Sequence, residues 1–150
     1  MKIRLFTIPN FLTLGNLVCG ASAAIAILTN GDFKLAFWLV VASAIFDFFD
    51  GFAARLLKST SAIGVELDSL ADVITFGLVP GMIAFRLLAP LAEVWTYLPY
   101  LGFLITLFST YRLGKFNIDE RQTTSFIGLA TPPNAILWAS IAAYPAAVSQ

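Results

Sequence analysis

No histidine occurs in this 150-residue chain, and cysteine occurs once, as Cys19. Without imidazole, proton transfer falls to Asp, Glu, Lys, Arg, Tyr or water. With one thiol, an internal disulfide and a cysteine metal cluster are both excluded. Cys19 lies among small residues in an apolar run and reads as a packing residue. Charge is also scarce: 12% of residues are charged, against about 25% in a soluble domain. The nine basic residues form no run that could serve as a nucleic-acid-binding patch.

Apolar residues fill the space that charge leaves, at 59% of the chain. That composition describes an integral membrane protein. The fold class expected is all-α, a polytopic transmembrane helical bundle. The opening MKIRLF is basic and then apolar, like the start of a signal peptide. The apolar run from Ile8 to Leu28, however, exceeds the roughly 7–15 residues of a signal core, and it reads as a retained helix. Further spans are expected from Leu35 to Leu57, from Val65 to Leu88, from Tyr97 to Leu113, and from about Phe126 into the C-terminus. That makes five.

Basic residues orient the bundle. Lys2, Arg4, Arg55, Lys58, Arg112, Lys115 and Arg121 fall on one side, and Lys34 and Arg86 on the other. By the positive-inside rule the N-terminus faces the cytoplasm. Trp38, Trp95 and Tyr97 then lie near the outer interface, where amphipathic rings are favoured. Small-residue stretches such as CGASAA at 19–24 offer packing faces between helices or subunits.

Against this background stands DFFDGFAARLLKSTSAIGVELDSLAD, residues 47–72, with four aspartates. Asp47 and Asp50 are three apart, and Asp68 and Asp72 four apart, so each pair shares a helix face. Gly64 lies one turn before Asp68. Asp47 precedes Arg55 by eight residues and Asp72 follows Gly64 by eight, about 12 Å of helix in each case. A hairpin turning on the cytoplasmic side therefore brings the pairs to one depth, face to face. A charge at membrane depth costs at least about 2.5–3.5 kcal/mol, so these groups are protonated or neutralised by cations. Oxygen donors select hard ions such as Mg²⁺, Mn²⁺ or Ca²⁺, and the donor set speaks against zinc. Gly51, Ala53 and Ala54 leave room beside the first pair, and Arg55 adds a charge suited to phosphate. The pattern describes a metal-lined cavity that admits a planar group and an anion. A proton or ion pathway is the competing reading, since intramembrane acids mark those too.

The spacing Asp47-x2-Asp50-Gly51-x2-Ala54-Arg55-x8-Gly64-x3-Asp68-x3-Asp72 resembles, position for position, the signature of the CDP-alcohol phosphatidyltransferases. Within that family the chain most resembles bacterial and archaeal phosphatidylserine synthases, through IPNFLTLGNLVCG, GVELDSLADVITFGLVP, RLGKFN at 112–117 and FIGLATPP at 126–133. The resemblance implies a membrane-embedded helical homodimer in a prokaryotic cytoplasmic membrane, with its active site facing the cytoplasm. It implies transfer of a phosphatidyl group from CDP-diacylglycerol to L-serine, with release of CMP, assisted by Mg²⁺ or Mn²⁺. It also implies six spans, so residues 1–150 read as a single domain that is truncated at its C-terminus or is a shorter variant.

By the same resemblance Asp47, Asp50 and Asp68 are metal ligands. Asp72 lies near the metals too and, held most loosely, is the general base. Gly51, Ala54 and Gly64 form the surface for the cytidine, and Arg55 partners phosphate. Asn10, Thr13 and Asn16 fall near the nucleotide mouth. Arg112 and Lys115 are assigned to the carboxylate of the acceptor or to phosphate, against the plainer reading of positive-inside charges. Two alternatives fit the residues as well. One is the same chemistry with glycerol 3-phosphate or inositol phosphate as acceptor. The other is a cation- or proton-coupled transporter, for which inverted repeats are expected and none is visible.

Overall fold

Thr7 opens the first helix. Its hydroxyl accepts the backbone N–H of Asn10 at 3.4 Å, and Pro9, which has no N–H to satisfy, sits in the first turn. The computed structural model describes residues 6–58, 61–118 and 130–145. Every regular element among them is helical. α1 runs Ile8–Thr29 and α2 runs Phe33–Leu56. Between them Gly31 takes φ +62°, a conformation that favours glycine. Asp32 then caps α2, accepting from the N–H of Leu35 at 3.0 Å. The two helices have 22 and 24 residues, rods of about 33 and 36 Å, and a bilayer core is about 30 Å thick.

α3, Ala62–Asp72, begins at Ser61, whose hydroxyl accepts from Gly64 at 3.1 Å. It runs on through a π-helical turn, Val73–Leu78, into α4, Val79–Leu88. Pro80 accounts for the irregularity. It has no N–H for the carbonyl of Phe76, and its ring crowds that carbonyl. The backbone widens there, and the N–H of Val79 reaches back five residues to Ile74. Two 3₁₀ turns, Ala89–Glu93 and Leu98–Gly102, lead to α5, Phe103–Ile118. α6 is Thr131–Ala143.

Three of these runs are long and apolar enough to cross a membrane: Ile8–Thr29, Phe33–Leu56 and Ala62–Glu93. They match the first three expected spans. α5 and α6, with 16 and 13 residues, reach only about 24 and 20 Å. The expected fourth span thus begins in a 3₁₀ turn. The expected start of the fifth, at Phe126, lies outside the described residues, as do Lys2, Arg4 and Arg121.

Small residues set the helix spacing. Ala23, Ala36, Ala135 and Ala139 pack with Ile27, Val40, Phe76, Val79 and Ile83 in one core. Gly20 approaches the π turn so closely that a Cβ there would overlap Thr75. The stretch 19–24 therefore buries Gly20 and Ala23 against the protein's own helices. Large apolar side chains such as Phe11, Val18, Ile25, Phe48, Phe52 and Phe108 point outward. That is the pattern of helices solvated by lipid, where helix association relies on close packing of small residues.

Arg55 and Lys58 sit at the α2–α3 turn. At the other end a Cβ on Gly31 would lie 3.0 Å from the guanidinium of Arg86. The end of α5 returns to the Arg55 side, where the Asn117 amide donates to Ser69 Oγ on α3 at 2.7 Å. Trp38, Trp95 and Tyr97 are all exposed.

Candidate active site

Both aspartate pairs project from α2 and α3 into the same space. One carboxylate oxygen from each of Asp47, Asp50 and Asp68 lies within 4.8 Å of the other two. Asp72 lines the same space as Asp47. The helix periodicity inferred from the spacing is what brings them together, since α3 keeps regular geometry as far as Asp72 and widens only after it.

The cluster is held from behind by α1. Thr13 Oγ1 donates to Asp50 Oδ2 at 2.6 Å. The Asn16 amide donates to Asp72 Oδ1 at 3.1 Å. Asp68 Oδ1 is buried and has no hydrogen-bond partner. Unit charges within 4.8 Å repel by at least about 3 kcal/mol per pair at an effective dielectric near 20. Oxygens so close, with a buried and unpartnered Asp68 oxygen in the same group of side chains, fit a hard divalent cation: all donors are oxygen and such an ion would remove the repulsion.

Two lobes open from these carboxylates, and they share Asp50, Gly51, Arg55 and Asp68. The first, about 190 Å³, is walled by Pro9, Asn10 and Thr13 of α1, by Ala54 of α2, and by Gly64 and Val65 of α3. Gly51 is open: a Cβ there would meet nothing within 4 Å. Gly64 is tight: a Cβ would lie 3.0 Å from Ser61 Oγ and 3.1 Å from Asn10 Oδ1. The second lobe, about 270 Å³, is lined by Asp47 and Asp72, by Arg112 and Phe116 of α5, and by Thr131 and Pro132 at the start of α6.

The structure thus gathers Asp47, Asp50, Asp68, Asp72, Gly51, Ala54, Arg55, Gly64, Asn10, Thr13 and Arg112 around one space. Two expected site residues stand apart. Lys115 is exposed on α5 and lines neither lobe. Asn16 is fully buried and touches Asp72 instead of lining the nucleotide mouth. Phe116 and Thr131, which lie in RLGKFN and FIGLATPP, line the second lobe although their residue types alone mark neither as a site residue. The one signal for them was their place in those two segments.

The family model described as CDP-alcohol phosphatidyltransferase matches residues 6–148. CDP-diacylglycerol–serine O-phosphatidyltransferase of Bacillus subtilis (strain 168) is 39% identical over 131 residues, covering 83% of this chain and 69% of that protein. The protein of the same name from Helicobacter pylori (strain ATCC 700392 / 26695) is 37% identical over 146 residues, covering 89% of this chain and 56% of that protein. The Methanocaldococcus jannaschii protein of that name is 33% identical over 135 residues, covering 89% and 59%. The chain therefore spans little more than half the length of the latter two relatives. No solved structure matches it.

Proposed function

The chain belongs to the CDP-alcohol phosphatidyltransferase family, and from that premise we propose that it transfers a phosphatidyl group from CDP-diacylglycerol to L-serine. The products are phosphatidylserine and CMP. The observation that carries this reading is the convergence of the Asp47, Asp50 and Asp68 oxygens between two lobes, one walled by small residues and one containing Arg112.

The donor nucleotide lies in the first lobe. Gly51, Ala54 and Gly64 present backbone and methyl surface to a flat ring, and Arg55 at the mouth meets phosphate. Asp47, Asp50 and Asp68 would hold Mg²⁺ or Mn²⁺, with Asp72 beside them, and a divalent ion held there would supply charge neutralisation for a diphosphate. The acceptor enters the second lobe, where Arg112 pairs with the serine carboxylate. Asp72 takes the proton of the serine hydroxyl as its oxygen attacks the phosphorus that carries the diacylglycerol. The new P–O bond forms as the bond to the CMP oxygen breaks.

Serine is favoured over phosphorylated acceptors because Arg55 and Arg112 are the basic side chains at the lobes among the described residues. Arg55 is placed for the donor, and Arg112 is the basic side chain that lines the acceptor lobe without lining the first. Seven of nine basic residues on one side support a cytoplasmic site and N-terminus in a prokaryotic plasma membrane. A homodimer is the assembly that accompanies this reading. The test is CMP release by the purified chain in liposomes with CDP-diacylglycerol and serine, glycerol 3-phosphate or inositol phosphate. Serine alone is expected to support release. Turnover with a phosphorylated acceptor and none with serine overturns the assignment, and CMP release with none of them overturns transfer itself.

A further inference from the structure

Asn16 has no task in the scheme above, yet its hydrogen bonds reach Asp72, Ser43 and Thr75 behind the site. It is fully buried on α1. Its side-chain amide donates to Asp72 Oδ1 at 3.1 Å. Its main-chain carbonyl accepts two hydroxyls, Ser43 of α2 at 3.1 Å and Thr75 of the π turn at 3.3 Å. One residue thus ties α1, α2 and the α3–α4 rod together at the level of Asp72. Its own Oδ1 is buried and has no partner. An orphaned amide oxygen is a standing penalty that an apolar side chain of similar size avoids. Packing alone therefore gives no reason for an amide here, and the reason must lie in what the N–H holds.

We infer that Asn16 is a positioning residue: it fixes one oxygen of Asp72 so that the other faces the acceptor lobe. The torsion that orients a carboxylate is broad and roughly two-fold, so an unrestrained Asp72 samples orientations that miss the acceptor hydroxyl. Misplacement by 1 Å can cost about 100-fold in rate. The π turn contributes by placing Thr75, three residues after Asp72, where its hydroxyl grips the backbone of the residue that orients Asp72. Gly20 permits that approach, since any Cβ there would overlap Thr75.

This inference rests on the assignment of Asp72 as base, and the experiment separates the two. Wild type, Asn16→Leu, Asn16→Asp and Thr75→Val are purified as the full chain and assayed in liposomes for kcat and for KM of CDP-diacylglycerol. Asn16→Leu removes the donor at similar size, and Asn16→Asp replaces it with an oxygen. Both are expected to lower kcat by about 10–100-fold, the usual effect of losing a residue that orients a functional ligand. KM is expected to stay within about twofold of wild type, since the missing interaction acts only on the chemical step. Thr75→Val, a buried isostere, is expected to lower kcat by about 5-fold. Unchanged kcat in Asn16→Leu, or a raised KM at unchanged kcat, overturns the inference and makes Asn16 packing or a nucleotide contact. If neither Asn16 variant folds, Thr75→Val decides, and full activity in it overturns the inference. Full activity in Asp72→Asn removes the base assignment, and this inference with it.

Discussion

Replacing Gly51 with alanine separates a substrate wall from a packing position. Gly51 lies inside α2, four residues before Arg55, and lines both lobes. A Cβ built there meets no atom within 4 Å, so Gly51→Ala creates no clash in the folded chain. Alanine in a helix interior is better than glycine by roughly 0.8–1.0 kcal/mol. The variant is therefore expected to be more stable than wild type, with a Tm in detergent raised by about 2–4 °C for a chain of this size. The same methyl projects into the space assigned to the CDP-lipid. Overpacking a fitted site costs typically about 1–3 kcal/mol, which is about 5–150-fold in affinity. The assay pairs thermal unfolding with equilibrium binding of CDP-diacylglycerol in the same detergent. Higher stability with weaker binding is the expected result. Unchanged binding removes Gly51 from the substrate wall, and a lower Tm means the space beside it is filled in the folded protein.

Asp72→Asn is expected to abolish turnover while retaining most CDP-diacylglycerol binding, because the amide keeps the shape of the carboxylate and cannot take a proton; CMP release and lipid binding measured on one preparation check this. Thorough chelation of divalent ions is expected to stop transfer, and added Mg²⁺ or Mn²⁺ to restore it; undiminished transfer after chelation refutes the metal-centred scheme. Gly102→Ala is expected to behave oppositely to Gly51→Ala, since its Cβ would lie 2.6 Å from the Phe85 nitrogen and 2.9 Å from the Gly81 oxygen, both backbone atoms that cannot move aside. Its cost is expected at about 1–3 kcal/mol, read as a lower Tm.

The aspartate cluster was legible because it depends on one number, the helical repeat. Asp47 with Asp50 and Asp68 with Asp72 need only regular helices and a tight turn to converge, and α2 and α3 supply both. The first two spans were legible for a similar reason: each is a long apolar run bounded by Thr7, Gly31 or Asp32. The π turn was not. Pro80 warned of a disturbance, but a proline does not say whether a helix will kink, stop or widen. That one extra residue in a turn sets where Thr75 points, and so hides the link to Asn16. Asn10, Thr13 and Asn16 recur at three-residue steps along one face of α1, which places them near the site. Whether each faces ligand or aspartate depends on how α1 is rotated against α2 and α3, and rotation is a property of packing. Lys115 shows the converse: its charge suggested a role, yet its direction on α5 leaves it exposed and off both lobes.

The most direct measurement is the anomalous diffraction of crystals grown with Mn²⁺ and CDP-diacylglycerol. A manganese peak within coordination distance of Asp47, Asp50 and Asp68, touching the diphosphate, is the expected result. A nucleotide bound elsewhere, or a lobe holding CDP-lipid with no manganese between those three side chains, contradicts it.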